Sequence, residues 1–487
     1  MTALYWCERA WLPPGVAAPH VLVHVTGSRI SAVETGVTNP PAHAKRLAGV
    51  TLPGLANVHS HAFHRALRGR THGRLVHDDP SVASETDSAK AGSFWSWRDR
   101  MYEIAGRLDP DSYRALATAV YAEMALAGIT CVGEFHYVHH NLDGTPYAEP
   151  NVMAESLIQA ARTAGLRITL LDACYLTGGI DLLGGSKPLE GVQRRFGDGN
   201  VARWADRVAD LRHAYASAED VHVGAAIHSV RAVPADQMPE VVTWARTHDA
   251  PLHVHLSEQV AENAQCLAAH GLSPTRLLLQ MDVLSPRTTA IHATHLTGED
   301  IGLLADTDTT ICMCPTTERD LADGIGPAAS LGRAGCRLTL GTDSHAVVDM
   351  FEEARGLEFG ERLLSGRRSN WSVTDLIRAM TESGHQALGF ADAGVIAPGA
   401  WADLVSVRMD SVRTAGVCDL AESDHSTDVS HPAGLVQAYE MTVFAATAAD
   451  VHSVVSGGQL IVDDGRHRLG DVAAALRSAI SAVACRP

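Results

Sequence analysis

Short apolar runs rich in β-branched residues alternate with helical patterns through the middle of the chain. Eight such runs follow one another: VTLPGLANVHSH, TCVGEFH, RITLLDACY, VHVGAAIHS, PLHVHLSE, TTAIHATHL, TTICMCP and RLTLGTDSH. Eight buried strands that alternate with helices predict a parallel (β/α)₈ barrel. Two of the connecting helices are predicted with their N-caps, SYRALATAVYAEMALAG after Asp111 and MFEEARGLEFGERLL after Asp349.

Both ends of the chain have a different pattern, in which short alternating segments are separated by glycine and proline. HVLVHV and RISAVE lie near one end, and ADLVSVR and VHSVVSGGQLIVDDGR near the other. Alternation with period two is typical of half-buried strands. We therefore expect a small β-sandwich domain from residues 1–50 and 397–475, and the barrel over residues 51–396. The polar stretches 71–92 and 419–432 are expected to be loops or insertions.

Composition places the chain among soluble globular proteins. It has 487 residues, of which 46% are hydrophobic and 20% are charged. The sequence has neither the ~18 consecutive apolar residues of a membrane span nor a signal-peptide pattern, so we expect a cytoplasmic protein without a membrane partner. The formal net charge of −17 opposes binding to nucleic acid. Nine cysteines without a C-x-x-C pair suggest reduced thiols.

Histidine is unusually frequent, with 26 residues, and several histidines end the predicted strands. His59 and His61 close the first run as HSH, and residues two apart on a strand point the same way, into the barrel mouth. His255 in the fifth run and Asp343 in the eighth complete three imidazoles and a carboxylate, a set suited to Zn²⁺ and tolerated by Fe²⁺. One H-x-H arises easily by chance, whereas polar tips on four strands, including His292 on the sixth, do not. The alternative is a set of hydrogen-bonded core histidines without a metal.

These segments also resemble a known family. PGLANVHSHAFHRA and GTDSH are similar to the amidohydrolase superfamily, whose members have a metal-bearing barrel flanked by a β-sandwich. Within it, the chain resembles the N-formimino-L-glutamate deiminases of histidine degradation from about Leu52 to Gly389. The resemblance rests on FWSWRDRMYEIAGRL, EFHYVHH, HSVRAV, HVHLSEQ, CPTTERDL and GTDSHAVVDMFEEARGLEFGERL. It implies hydrolysis of N-formimino-L-glutamate to N-formyl-L-glutamate and ammonia, and a homodimer.

The resemblance also implies three catalytic roles. Asp343, a metal ligand, would accept the proton of the attacking water, and His292 would stabilise the tetrahedral centre. Glu258, three residues after the ligand His255, would protonate the imino nitrogen so that ammonia leaves. An alternative role for Glu258 is to orient His255.

Substrate-binding residues follow from the same resemblance. The substrate carries two carboxylates, and Arg98 and Arg231 match positions that the family uses for substrate, with His228 and Tyr137 as hydrogen-bonding neighbours. Either arginine could instead be a packed surface side chain. His64 stands where the family usually has glutamine, which concerns the fine substrate specificity. The alternative is that His64 turns away and fills space.

The scarcity of lysine bears on the number of metals. Binuclear members of the superfamily bridge two metals with a carboxylated lysine on a middle strand, but this chain has three lysines, and only Lys187 is near those runs. Lys187 is expected in a flexible glycine-rich loop without a role, so we expect one metal per chain. Two other functions remain open: a mononuclear deaminase acting on a purine, pyrimidine or other amidine, and a non-catalytic oligomerisation protein on the same barrel.

Overall fold

The structure is a computed structural model, and it describes residues 2–71, 94–180, 185–416 and 432–484. Its strands, in chain order, are β1 (Thr2–Leu12), β2 (Val16–Thr26), β3 (Arg29–Glu34), β4 (Lys45–Pro53), β5 (Leu55–Ser60), β6 (Ile129–His136), β7 (Arg167–Cys174), β8 (Gly179–Ile180), β9 (Ser186–Lys187), β10 (Val221–Ile227), β11 (Leu252–Leu256), β12 (Thr288–His292), β13 (Thr310–Met313), β14 (Leu338–Leu340), β15 (Leu404–Val407), β16 (Val451–Ser456), β17 (Gln459–Asp463) and β18 (Arg466–His467).

The α-helices are α1 (Phe94–Ala105), α2 (Pro110–Leu126), α3 (Val152–Ala164), α4 (Val201–Ala214), α5 (Met238–Thr247), α6 (Val260–His270), α7 (Pro274–Gln280), α8 (Gly298–Asp306), α9 (Pro315–Asp320), α10 (Ala328–Ala334), α11 (Met350–Ser365), α12 (Val373–Met380), α13 (Glu382–Ala387), α14 (Pro432–Phe444) and α15 (Val472–Ala484). Short 3₁₀ helices span Ala62–Leu67, Gly191–Phe196, Ala235–Gln237 and Ala448–Asp450.

The predicted barrel is confirmed. Strands β5, β6, β7, β10, β11, β12, β13 and β14 pair in parallel in this order. A parallel bridge between Ser60 and Asp343 brings the last strand back to the first. At this bridge the Asp343 N–H donates to the His59 carbonyl at 3.0 Å, and the His61 N–H donates to the Asp343 carbonyl at 3.3 Å.

The β structure predicted at both ends forms one sheet. Its eight strands run in the order β18, β17, β16, β15, β4, β1, β2, β3, so the two ends of the chain meet where β4 pairs with β15. The first predicted run divides between the two sheets at Gly54, where a Cβ would lie 2.2 Å from Thr130 Oγ1. The domain boundary predicted after residue 50 falls within β4.

The two predicted helix caps have different outcomes. Asp349 caps its helix as predicted, and its side chain accepts from the Phe351 and Glu352 N–H groups. The prediction for Asp111 is wrong, because Asp109 is the N-cap and accepts from the Ser112 N–H. Pro110 occupies the first helical position, where its missing N–H has no intrahelical partner to lose, so the helix begins two residues earlier than predicted.

Other expectations concern the chain as a whole. In the described ranges, no helix combines the length and the apolarity that crossing a bilayer requires. Seven described cysteines are free and buried, consistent with reduced thiols. The two predicted loop stretches, 71–92 and 419–432, lie outside the described residues except for their end residues Thr71 and Pro432.

A buried ion pair joins the barrel to the terminal sheet. The Arg167 guanidinium at the start of β7 donates to both Asp403 oxygens, at 3.0 and 2.5 Å. It also lies 4.4 Å from the centre of the Trp401 ring, and the Gly457 N–H donates to Asp403 at 2.8 Å. Because strand β7 starts here, the pair lies at the end of the barrel opposite the strand tips that carry the candidate ligands.

We expect Arg167→Met to lower the free energy of unfolding by about 3–5 kcal/mol, because it leaves the Asp403 carboxylate buried and unpaired. Although burial opposes ionisation, Arg167 holds the pKa of Asp403 below its usual value. The stabilisation is therefore present above the unfolded pKa of about 3.9 and is lost as the pH falls below it. Denaturant unfolding at pH 7 and at lower pH measures both effects.

The matched control is Arg246→Met, because Arg246 pairs with Asp282 on the exposed surface. Such a pair is worth about 0–1 kcal/mol. Equal losses in the two variants would contradict a special role for the buried pair.

Candidate metal and catalytic site

The predicted ligands meet at the mouth of the barrel. His59 and His61 lie at the end of β5, His255 in β11, His292 at the end of β12, and Asp343 just after β14. All five side chains are buried. Parallel strands of a barrel end at the same face, so residues far apart in sequence converge there.

The distances between the ligand atoms are short. His59 Nε2 lies 3.1 Å from His255 Nε2 and 3.3 Å from Asp343 Oδ1, and the latter oxygen lies 3.4 Å from His61 Nε2. Two groups of possible ligand atoms therefore share His59, one with His61 and Asp343 and the other with His255 and His292. Within each group the atoms lie within 4.8 Å of one another.

The outer nitrogens of two imidazoles set their orientation. His61 Nδ1 lies 2.9 Å from the Phe135 carbonyl, and His255 Nδ1 lies 2.8 Å from the His228 carbonyl. A carbonyl only accepts, so these nitrogens carry the protons, and the Nε2 lone pairs point to the centre. Burial lowers the pKa of His61 to about 3, which keeps it in the neutral form that binds metal. Facing lone pairs beside a carboxylate fit a divalent cation such as Zn²⁺.

The backbone at these tips is unusual. Asp343 and His292 have positive φ angles, 40° and 68°, in the left-handed region that side chains rarely adopt. At Gly341 a Cβ would lie 2.7 Å from the His59 Cβ, so the close approach of the first and eighth strands requires glycine. The left-handed backbone at Asp343 and the absence of a side chain at Gly341 thus help to bring Asp343 beside His59 and His61.

Glu134 supports the loop that carries the first two ligands. Ser60, between His59 and His61, donates its hydroxyl to Glu134 at 2.7 Å, and the Ala62 N–H donates to the other carboxylate oxygen at 2.7 Å. Sequence reasoning missed Glu134, and the available signal was a glutamate inside the apolar run TCVGEFH.

Carboxylates surround His292. Its Nε2 lies 3.9 Å from Glu258 Oε1 and 4.0 Å from Asp343 Oδ2, and its Nδ1 lies 3.6 Å from Glu318 Oε1. Although burial opposes the charge, these carboxylates raise the pKa of His292 to about 10. A cationic imidazole here can stabilise negative charge beside the ligands. Glu318 was also missed, although CPTTERDL places it just after the seventh strand.

A pocket of about 180 Å³ opens over the ligands, and the five predicted substrate-binding residues all line it: His64, Arg98, Tyr137, His228 and Arg231. His64 Nε2 lies 3.0 Å from the Tyr137 hydroxyl, so the imidazole faces the pocket wall rather than filling space elsewhere. Several other lining residues were not predicted for this role, among them Trp97, Tyr102, Tyr175, Gln265 and Lys187. Lys187 was expected in a loop, but it lies in the short strand β9.

Arg231 and Glu258 are in contact. Arg231 NH2 lies 3.4 Å from Glu258 Oε2, and its Nε lies 3.0 Å from Glu262 Oε2. Glu258 is therefore placed between Arg231 and His292, next to the candidate ligands. This position is compatible with proton transfer in the pocket.

A third group of possible ligands, His136, His139 and Asp172, lies elsewhere. Both Asp172 oxygens accept from the Arg207 guanidinium, at 2.8 and 2.9 Å, and one also accepts from Trp204 at 3.1 Å. Because the Arg207 guanidinium already pairs with the Asp172 carboxylate, we interpret the group as a buried polar cluster.

Comparison with known proteins gives three similarities beside a family match. The model of the amidohydrolase family matches residues 50–461. Formimidoylglutamate deiminase of Pseudomonas aeruginosa is 35% identical over 474 residues, 96% of this chain and 96% of that protein. The 8-oxoguanine deaminase of the same species is 29% identical over 374 residues, 76% of this chain and 77% of that protein. The crystal structure of an amidohydrolase from Brucella melitensis has a TM-score of 0.85 and 32% identity, covering 99% of this chain and 100% of that chain.

We expect Glu134→Gln to weaken metal binding about 10–100-fold while the fold is retained. A carboxamide offers one acceptor oxygen where the carboxylate offers two, so either Ser60 or Ala62 loses its acceptor. Metal analysis after dialysis against a graded series of chelator concentrations measures the change.

Glu353→Gln is the matched control. Glu353 is equally buried, and it accepts hydrogen bonds from the N–H and the hydroxyl of Thr316, away from the segment His59–His61. Its substitution should affect stability and leave metal retention unchanged. Equal retention in both variants would show that Glu134 does not hold the ligands in place.

Proposed function

The chain belongs to the amidohydrolase family and is a metal-dependent hydrolase of C–N bonds, and we propose that its substrate is N-formimino-L-glutamate. The observation that carries this proposal is the pocket, in which Arg98 and Arg231 lie beside the metal ligands. Two guanidinium groups match the two carboxylates of this substrate. The similarity to formimidoylglutamate deiminase along 96% of both chains supports the same substrate.

We propose one zinc ion per chain, held by His59, His61, His255 and Asp343, with Fe²⁺ as a tolerated substitute. Three imidazoles and one carboxylate form a donor set that suits zinc in a catalytic site. When bound, zinc lowers the pKa of water from 15.7 to about 7 and so supplies a nucleophile at neutral pH. Lys187 is exposed and lies in the strand β9, away from the middle barrel strands where a bridging lysine would be needed.

Asp343 is proposed to accept the proton of the attacking water. Its Oδ1 faces His59 and His61, while its Oδ2 faces His292 at 4.0 Å. Despite its burial, contact with His59 holds the pKa of Asp343 well below its usual value, so it is ionised and ready to accept. One oxygen can therefore serve as a ligand while the other receives the proton.

His292 and Glu258 are proposed to complete the reaction. The water oxygen bonds to the formimino carbon, and the cationic His292 stabilises the tetrahedral centre. Glu258 delivers one proton to the imino nitrogen, and Asp343 returns to the same nitrogen the proton that it took from the water. As the C–N bond breaks and ammonia leaves, the tetrahedral hydroxyl gives its proton back to Glu258 and becomes the formyl carbonyl. Water and N-formimino-L-glutamate thus give N-formyl-L-glutamate and ammonia.

The residues on the pocket wall are proposed to recognise the two carboxylates. Arg98 and Arg231 supply the charge, and Tyr137, His228 and His64 supply hydrogen bonds. The Arg231 guanidinium, held between Glu258 and Glu262, is pre-organised for its ligand. Homodimer formation and a cytoplasmic location remain predictions.

A nucleobase is the second candidate substrate, because the chain also resembles 8-oxoguanine deaminase over 76% of its length. A nucleobase lacks carboxylates and would leave the pocket cations unmatched. The non-catalytic alternative is disfavoured because a protein without a metal would not need five buried ligand and acid–base side chains at one barrel mouth.

The direct test is to incubate the metal-loaded protein with N-formimino-L-glutamate or with 8-oxoguanine, and to measure ammonia and product mass. We expect ammonia and N-formyl-L-glutamate in equal amounts, and far slower release of ammonia from 8-oxoguanine. Release of ammonia from 8-oxoguanine alone would refute the proposal.

Asp343→Asn should lower kcat at least 10²-fold with the fold retained, because the proton acceptor is lost. Near-normal turnover in this variant would remove Asp343 from the mechanism.

We expect His64→Gln to retain activity on N-formimino-L-glutamate and to change only the acid side of the pH profile of kcat/KM. Burial lowers the pKa of His64 well below its usual value, so the imidazole is neutral near pH 7 and donates one hydrogen bond, as an amide does. Protonation at low pH adds a charge that glutamine does not acquire. A wild type inactive on this substrate, with an active Gln variant, would show that His64 directs the site to another amidine.

A further inference from the structure

We propose that Lys187 binds a substrate carboxylate at the mouth of the pocket and selects dianionic over monoanionic substrates. This inference rests on the proposed function, which it deepens by naming a specificity-determining residue. Lys187 lines the same pocket as Arg231 and Glu258.

The hairpin that carries Lys187 is tied to the Arg231 segment. Lys187 pairs with Gly179 across β8 and β9, and the Gly178 N–H donates to the Lys187 carbonyl at 2.8 Å. At the base of this hairpin, Thr177 donates its hydroxyl to the Arg231 carbonyl at 3.0 Å, and its N–H donates to the Ala232 carbonyl at 3.0 Å. These bonds hold the lysine backbone in a defined place beside Arg231.

Close backbone contact in this hairpin requires glycine. At Gly178 a Cβ would lie 2.5 Å from the Pro188 carbonyl oxygen and 3.0 Å from Gln193 Oε1. The chain thus brings the residue after Lys187 against the start of the hairpin, and the long lysine side chain reaches the pocket from this base.

The charges of the pocket side chains explain why a dicarboxylate needs a further cation such as Lys187. Arg231 also faces two carboxylates, Glu262 at 3.0 Å and Glu258 at 3.4 Å, so these glutamates offset part of the positive charge that it presents to a substrate. A dicarboxylate brings two further negative charges into a partly buried pocket, where unpaired charge is costly. Arg98 and Lys187 are the other arginine and lysine side chains of its described lining, and the cationic His292 lies beside Asp343.

Lys187 differs from the other described lysine in its surroundings. Lys45 donates to both Asp463 oxygens at 2.7 Å, on the terminal sheet. No carboxylate of the described residues forms an ion pair with Lys187, and its side chain is exposed. An ammonium on a flexible four-carbon stem can therefore turn to a carboxylate without breaking an ion pair to any residue that the structure describes.

The test compares Lys187→Met, Lys187→Arg and the control Lys45→Met in the metal-loaded protein. The substrates are N-formimino-L-glutamate and its side-chain amide, N-formimino-L-glutamine, which lacks one carboxylate. We expect Lys187→Met to raise KM for the dianion about tenfold or more with kcat within about twofold, because a hydrogen bond to a charged group is lost. Lys187→Arg should restore most of the loss, and the amide should show a much smaller effect.

The dependence of KM on salt concentration distinguishes a direct charge interaction of Lys187 from a merely structural role. The tenfold difference should shrink as ionic strength rises, because the ammonium is exposed to solvent, and Lys45→Met should behave as wild type. An unchanged KM in Lys187→Met, or equal losses for the dianion and the amide, would overturn the inference.

A second measurement separates this inference from the proposed function. Binding of glutarate, a dicarboxylate that cannot react, is measured by calorimetry on wild type and Lys187→Met. If wild type does not hydrolyse N-formimino-L-glutamate, the proposed function fails, yet weaker glutarate binding in the variant still supports Lys187 as a carboxylate ligand. Equal glutarate affinity in both proteins refutes it.

Discussion

Closure of the barrel between its first and eighth strands is the contact on which the rest of the site depends. The bridge at Ser60 and Asp343 sets the carboxylate of Asp343 against the two histidines of the HSH segment. Gly341 allows this approach, since a Cβ would collide with His59. Without closure, Asp343 and the pair His59 and His61 would stand on opposite edges of an open sheet.

Burial at the mouth then determines the protonation states. The neutral imidazoles of His61 and His255 donate their Nδ1 protons to backbone carbonyls, so their Nε2 lone pairs point to the centre of the site. The carboxylate of Asp343 stays ionised among them. His292 is the exception, because carboxylates on both sides of its ring favour the cation. One buried region therefore holds the candidate metal ligands, an ionised carboxylate and a cationic imidazole at short range.

Stability and chemistry are placed at opposite ends of the barrel. At the start of β7, the Arg167 and Asp403 pair fastens the terminal sheet, while positive φ angles are found at the tips that carry Asp343 and His292. Backbone strain persists only where the surrounding structure holds it. Glu134, which accepts hydrogen bonds from Ser60 and Ala62, is part of that structure. Although the chain is acidic overall, Arg98, Arg231 and Lys187 all line one pocket.

The sequence by itself determined the eight strands, because buried strands follow from local periodicity, and it predicted the ligand set from polar residues at their tips. Apolar β-branched runs identify buried strands, and the period of two turns His59 and His61 to the same side. The resemblance to a family extended this to His292, Glu258 and the pocket residues. Only the tertiary structure placed Glu134 under the segment that carries His59 and His61, Glu318 beside His292, and Lys187 on the pocket wall. Their roles depend on which strands become neighbours and which loop folds over the mouth, and such contacts between distant segments leave no periodic signal in the chain.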